Sequence, residues 1–293
     1  MRFVRDCNKV DFGLVFRLSS LVLALLFTLV LELRGQASDP VFTEEFGGPK
    51  NSSFDKAKWT AETGGGGWGN EELQYYTGDA GNVRLDGDGN LEIRAVPLEA
   101  STTLKCWYGT CRYTSARLIT KGKFQFRYGR AEARIRVPEG AGVWPAFWLL
   151  GGDIDKAGWP NCGEIDIMEF IGREPRTVYG TVHGPGYAGA NGIGRSTTIG
   201  GDESVPDGFH VFAIEWTENE IRWFLDGKQY AIVTKKDLPS GARWVFDHQY
   251  FIILNFAVGG KWPGSPTSVT RFPQSMLVDY VRVFPLRSAR SKS

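Results

Sequence analysis

The 293-residue chain is poor in cysteine, in net charge and in long apolar runs. Its 4 cysteines, at positions 7, 106, 111 and 162, do not make up the spaced four-ligand set of a thiolate zinc site. With 34 basic and 33 acidic side chains the net charge is +1, which removes a whole-chain electrostatic case for nucleic acid or anionic membranes as partners. No linker, internal repeat or long amphipathic helical pattern follows residue 37. The Gly64–Gly67 run lacks flanking strand and helix patterns and a following P-loop lysine, so no nucleotide-binding fold is indicated. The longest apolar run, Leu21–Leu31, is interrupted by Glu32 and Arg34. It is too short for about 30 Å of hydrocarbon, which takes roughly 20 helical residues.

What is present begins with that run. Arg2, Arg5, Lys9 and Arg17 precede it, and Gly35 and Ala37 place small residues at the −3 and −1 positions of a cleavage site. Residues 1–37 are therefore expected to be a secretory signal peptide, with an uncleaved signal anchor as the alternative, and 38–293 the working domain. Export makes a Cys106–Cys111 bridge plausible around the Trp-Tyr-Gly-Thr loop; Cys162 reads as a buried thiol behaving as a small hydrophobe. Asn51-Ser52-Ser53 is a glycosylation sequon, usable in a eukaryotic secretory route.

The chain is rich in glycine (37) and aromatics, with 10 Trp, 10 Tyr and 19 Phe, enough to build a large core with many turns. Short alternating segments recur. In Arg130–Val137, residues Ala131, Ala133, Ile135 and Val137 take one face and charged residues the other. Further strands are expected at 90–95, 209–216, 221–225, 229–233, 250–257 and 277–284, with Asp226-Gly227 a hairpin turn and Ser53–Trp59 at most one helical turn. The pattern predicts an all-β sandwich of two antiparallel sheets.

The segment Gly163-Glu164-Ile165-Asp166-Ile167-Met168-Glu169-Phe170 carries the chemistry. Period-two alternation puts Glu164 and Asp166 on one face but sends Glu169 into the core, where an unpaired carboxylate is costly. One extra residue, a β-bulge near Ile167–Met168, returns Glu169 to the acidic face and keeps the isoleucines inward. Three crowded acids do not all ionise cheaply, so at least one is expected to have a raised pKa. A raised carboxyl beside an ionised one suits retaining glycoside hydrolysis, which places an acid and a nucleophile about 5–5.5 Å apart.

This strand resembles the active-site strand of family 16 glycoside hydrolases, in the bulged form of the laminarinases (endo-β-1,3-glucanases). Other segments agree: Gly67–Tyr76, Thr114–Arg117, Val143–Trp148, Thr181–His183, Leu254–Gly260, Trp262–Gly264 and Val278–Val283. The resemblance implies a concanavalin A-like β-jelly roll with a concave cleft. It implies that Glu164 is the nucleophile, Glu169 the general acid/base and Asp166 the residue that tunes them, cleaving β-1,3-glucan with retention. Mixed-linkage glucan, galactan or glucan transglycosylation are the enzymatic alternatives, and a non-catalytic β-glucan-binding protein is the other. A secreted monomer is expected, with a β-glucan polysaccharide as partner, no nucleic acid and, after signal cleavage, no membrane.

Sugar rings present apolar faces, so flat aromatics beside polar forks are expected. Trp144 and Trp148 share a strand face, and each reads either as core or as sugar platform; Trp262, between turn formers, and Trp68 read as exposed platforms. By resemblance, Asn70, Glu71 and Arg117 contact glucose hydroxyls. His183 is expected to contact Asp166 or a sugar, with a purely structural hydrogen bond as the alternative. Family members often carry a structural calcium, for which Glu45 and Asp279 are the matching positions; catalysis itself is expected to need no cofactor.

Overall fold

A computed structural model describes residues 39–286; the leader assignments and Cys7 lie outside them. In this part, strands build two large sheets, and the one α-helix among the described residues is the four-residue Ile154–Ala157. The first sheet runs in space Lys228–Thr234, Glu220–Leu225, His210–Trp216, Gly129–Arg136, Gln274–Phe284, Leu91–Pro97, Tyr113–Ser115 and Gln74–Tyr76, with Phe42–Glu44 and Val83–Leu85 paired alongside. The second runs Ile193–Thr198, Thr177–His183, Glu164–Glu169, Val143–Gly151, Tyr250–Val258, Arg117–Ile119 and Thr60–Glu62. Pairing is antiparallel except between Gln74–Tyr76 and Tyr113–Ser115, which run parallel, a local departure from the expected all-antiparallel pattern.

Alternation explains the layers. Ala131, Ala133 and Ile135 are fully buried, while the charged residues between them pair in the plane of the sheet, as in Arg130–Glu132 at 2.8 Å. Facing them across the core lie Phe147, Leu149, Ile165, Leu254 and Phe256 from the second sheet. Each such side chain contributes about 1.5–3 kcal/mol on burial. Asp226 and Gly227 both have positive φ (49° and 78°), which matches the right-handed twist of the hairpin they close. The Ser53–Trp59 segment makes one turn, in which Trp59 N–H donates to the Asp55 carbonyl.

A second, smaller apolar cluster lies on the other side of the second sheet. Ile119, Leu150, Cys162, Phe251 and Ile253 form it, with Trp148, Ile154 and Ala157 packed against them. It fills one end of that face beside the Glu164–Glu169 strand. Burial pushes the Cys162 thiol up to about 11, with the Asp153 and Glu164 carboxylates adding to the effect. Cys162 is thus the inert packed thiol expected of it. Cys106 and Cys111 are bridged, with Cα atoms 5.0 Å apart.

Candidate active site

The strand Glu164–Glu169 lies between Val143–Gly151 and Thr177–His183. Its register slips against both neighbours. Trp148 faces Asp166 and Phe147 faces Met168, so Ile167 is the extra residue; on the other side, Asp166 faces Thr181 and Glu169 faces Tyr179. Ile165, Ile167 and Met168 all point into the core, and Glu164, Asp166 and Glu169 share the outer face. The bulge inferred from the cost of burying Glu169 is present.

The opposite sheet pins it. The Trp223 indole N–H crosses the core and donates to the Asp166 carbonyl at 2.7 Å. A Cβ on Gly180, opposite the bulge, would meet Trp223 Cδ1 at 2.4 Å, so glycine is required where the two sheets approach this closely.

Each glutamate has its own indole donor. Trp159 Nε1 donates to Glu164 Oε2 at 2.9 Å, and Trp144 Nε1 donates to Glu169 Oε1 at 3.2 Å. His183 Nε2 sits between the other two acids, 3.2 Å from Asp166 Oδ2 and 3.8 Å from Glu164 Oε1. Burial pushes the Glu164 carboxyl up to about 8; the Asp166 charge adds to this, while His183, Trp159 and Arg117 oppose it. Burial likewise raises Glu169, well above the ordinary range, with the charges of Asp166 and Glu164 adding and His183 and Trp144 opposing. Asp166 is raised by burial and drawn back by hydrogen bonding with Glu164. The three acids therefore hold fewer than three charges at neutral pH. Of the two glutamates, Glu164 has more groups opposing the rise, His183, Trp159 and Arg117, against His183 and Trp144 at Glu169, so Glu164 gives up its proton more readily than Glu169.

The binding candidates fall into two groups. Toward Glu169, Trp262 packs edge-on against Trp144 at 5.6 Å and Tyr179 at 5.0 Å, so it belongs to an aromatic corner and is only half-exposed. On the other flank the Arg117 guanidinium lies between two indoles, 4.7 Å from Trp68 and 4.8 Å from Trp148, and pairs with Glu62. Trp148 Nε1 donates to Asn255 Oδ1 at 2.7 Å, and its ring packs against the outer apolar cluster.

Two residues of the site, Glu72 and Trp159, escape a sequence reading. Glu71 is exposed and pairs with Lys261 at 3.1 Å. The carboxylate beneath Asn70 is instead Glu72, which is buried and accepts from Asn70 Nδ2, Gln74 Nε2 and Tyr76 OH. Tyr76 in turn accepts from Asn255 Nδ2, which links Glu72 to Trp148. Trp159 was the other omission: 49% exposed, it sits directly on Glu164. The Gly158-Trp159-Pro160 sequence that carries it has no periodicity to reveal its direction.

The residues expected to hold calcium do not fit one. Glu45 is clasped by Arg282 through both oxygens, at 2.8 and 2.7 Å, and Asp279 is paired with Arg134 at 2.6 Å. Among the described residues, the acids and histidine close enough to share an ion are Glu164, Asp166 and His183.

The family model "Glycosyl hydrolases family 16" matches residues 70–282. A beta-glucanase of Rhodothermus marinus is 43% identical over 239 residues, which are 78% of this chain and 80% of that protein. The glucan endo-1,3-beta-glucosidase A1 of Niallia circulans is 36% identical over 83% of this chain, and the match spans 37% of that longer protein. The crystal structure of an endo-beta-1,3-glucanase from Pyrococcus furiosus superposes with a TM-score of 0.80 at 47% identity, covering 86% of this chain and 96% of that one. With its jelly-roll sheets, bulged acidic strand and matched length, this chain belongs to glycosyl hydrolases family 16.

Proposed function

We propose that this protein hydrolyses internal β-1,3-glucosidic bonds of laminarin-type glucans with retention of anomeric configuration. The bulged strand carries the reading, because it sets Glu164, Asp166 and Glu169 on one face with a different indole on each glutamate. In the first step a Glu164 carboxylate oxygen attacks C1 of the sugar. The C1–O bond to the leaving sugar breaks as Glu169 gives that oxygen its proton. The product is a glucosyl ester on Glu164. Glu169, now ionised, takes a proton from water as the water oxygen attacks C1, and the ester opens to free Glu164. Burial, with the Asp166 charge adding to it, keeps Glu169 protonated before the first step.

Arg117 between its two indoles, and the Trp144–Trp262–Tyr179 corner, offer stacking faces and hydrogen-bond donors for a neutral polymer. The basic leader with its short apolar run supports export, and no helix among the described residues is long and apolar enough to cross a membrane. The chemistry rests on carboxyl groups and calls for no cofactor.

Product analysis on laminarin, lichenan and agarose tests the proposal. Preferential cleavage of laminarin, with the β-anomer released first by NMR, is expected. Activity on agarose without activity on laminarin would overturn it. Glu164→Ser should abolish hydrolysis and leave glucan binding intact.

A further inference from the structure

The Cys106–Cys111 hairpin plays no part in the chemistry above, yet it is fastened to the loop that carries Trp68 and Asn70. Its two short strands, Lys105–Cys106 and Gly109–Thr110, pair with each other. Three hydrogen bonds then dock it: Trp107 N–H to the Gly65 carbonyl at 2.8 Å, Trp107 Nε1 to the Glu72 carbonyl at 2.8 Å, and Tyr108 OH to the Leu73 carbonyl at 2.6 Å. The disulfide closes its base. The Trp107 indole lies over Gly67, close enough that a Cβ there would meet Trp107 Cδ1 at 2.8 Å. Despite this anchoring Trp107 remains 49% exposed.

An indole whose only polar atom is satisfied exposes little but its apolar face. Folding gains from covering such a face, and here the chain fixes it open. Its neighbours lead back, contact by contact, to the acidic strand. From the catalytic strand, Trp148 faces Asp166; Arg117 stacks on Trp148; Trp68 stacks on Arg117; and Trp107 lies against the residue preceding Trp68. A pyranose ring presents an apolar C–H face of the kind that stacks on an exposed indole.

We infer that Trp107 is a distal sugar-binding platform that stacks on a glucosyl unit of the bound glucan several rings from the cleaved bond. This rests on the functional reading above and adds a length preference to it. Long chains reach Trp107 and short ones do not. Because the hairpin is ordered by its disulfide and its three hydrogen bonds, the contact carries little ordering cost.

The test compares laminarin with laminaritriose on the intact protein. Trp107→Ala should raise KM for laminarin about three- to tenfold, the worth of one aromatic contact, with kcat and all constants for laminaritriose unchanged. Two further variants separate stacking from scaffolding. Trp107→Phe keeps a flat face without the N–H and should retain most of the laminarin affinity. Trp107→His keeps a ring N–H with a smaller face and should lose it. An unchanged laminarin KM in Trp107→Ala overturns the inference. So does an equal rise on both substrates, which would mean that Trp107 only props up Glu72 and Asn70. A wild-type protein that fails to cleave laminarin overturns the functional reading first, and this inference with it.

Discussion

Asp166 shows how one buried side chain sets the chemistry of two others. It is 3% exposed, and its charge raises the carboxyls of both Glu164 and Glu169. Asp166→Asn removes that charge while keeping the shape. Both glutamates then ionise at lower pH, so the alkaline limb of the kcat/KM profile, set by Glu169 losing its proton, should move to lower pH. A fall in kcat of roughly 10²–10⁴ should accompany the shift, since acid–base assistance is impaired. An unchanged alkaline limb would remove Asp166 from the tuning role. Residue-scale legibility was uneven. The three acids were readable because a carboxylate sent into the core is expensive, so alternation had to break there. Glu72 was not, because Glu71 adopts φ +59° and the chain turns between them, so no period relates the two. Asn255 lies in a strand buried at every position, where one polar residue among apolar ones marks the outer face only once the neighbouring strands are known.

At the scale of the element, the bulge is held from both sides. Trp223 donates to its carbonyl from the opposite sheet, and Gly180 leaves the space for that indole. Trp223→Phe removes the donor and keeps most of the volume. It should lower kcat about tenfold with little change in KM, because misplacement of the acids affects the reacting geometry more than sugar binding. A fall in Tm with kcat unchanged would mean that Trp223 is only a packing residue. The bulge also allows a register experiment. Deleting Met168 leaves Glu-Ile-Asp-Ile-Glu, in which strict alternation again sets all three acids on one face. That variant should fold and keep measurable activity. A folded deletion variant without activity would show that alternation alone does not orient the third acid. The regular strands were legible from alternation, whereas the parallel Gln74–Tyr76/Tyr113–Ser115 pair was not. Its partners lie far apart in sequence, and neither three-residue segment carries a period long enough to read.

For the whole molecule, the buried acids cost stability as the pH rises. Glu164 is raised from 4.5 to about 8 in the folded protein, so the native state binds its proton more tightly than the unfolded chain. Stability therefore falls as pH rises between those two values. Glu164→Gln should raise Tm by several degrees at pH 8 and change it little at pH 4, measured by calorimetry; an equal effect at both would contradict the assignment. The far face of the sandwich behaves differently. There Glu45 and Asp279 are already satisfied by Arg282 and Arg134, so chelation with EDTA should leave both Tm and laminarin turnover unchanged. A drop in Tm would show an ion held by other groups on that face.

The two indole donors have a last consequence. Trp159 and Trp144 each contact a different glutamate of the acidic strand, and of the two Trp159 is the more open to solvent, at 49% exposed. Indole emission responds to a neighbouring carboxyl gaining or losing its proton and to cover by a bound ligand. The site thus carries two built-in optical reporters, one per acid, distinguishable by removing either tryptophan. Because the chain holds 10 Trp, each signal is the difference between the native protein and a Trp159→Phe or Trp144→Phe variant, and it follows the protonation of Glu164 or Glu169 with light and no added label.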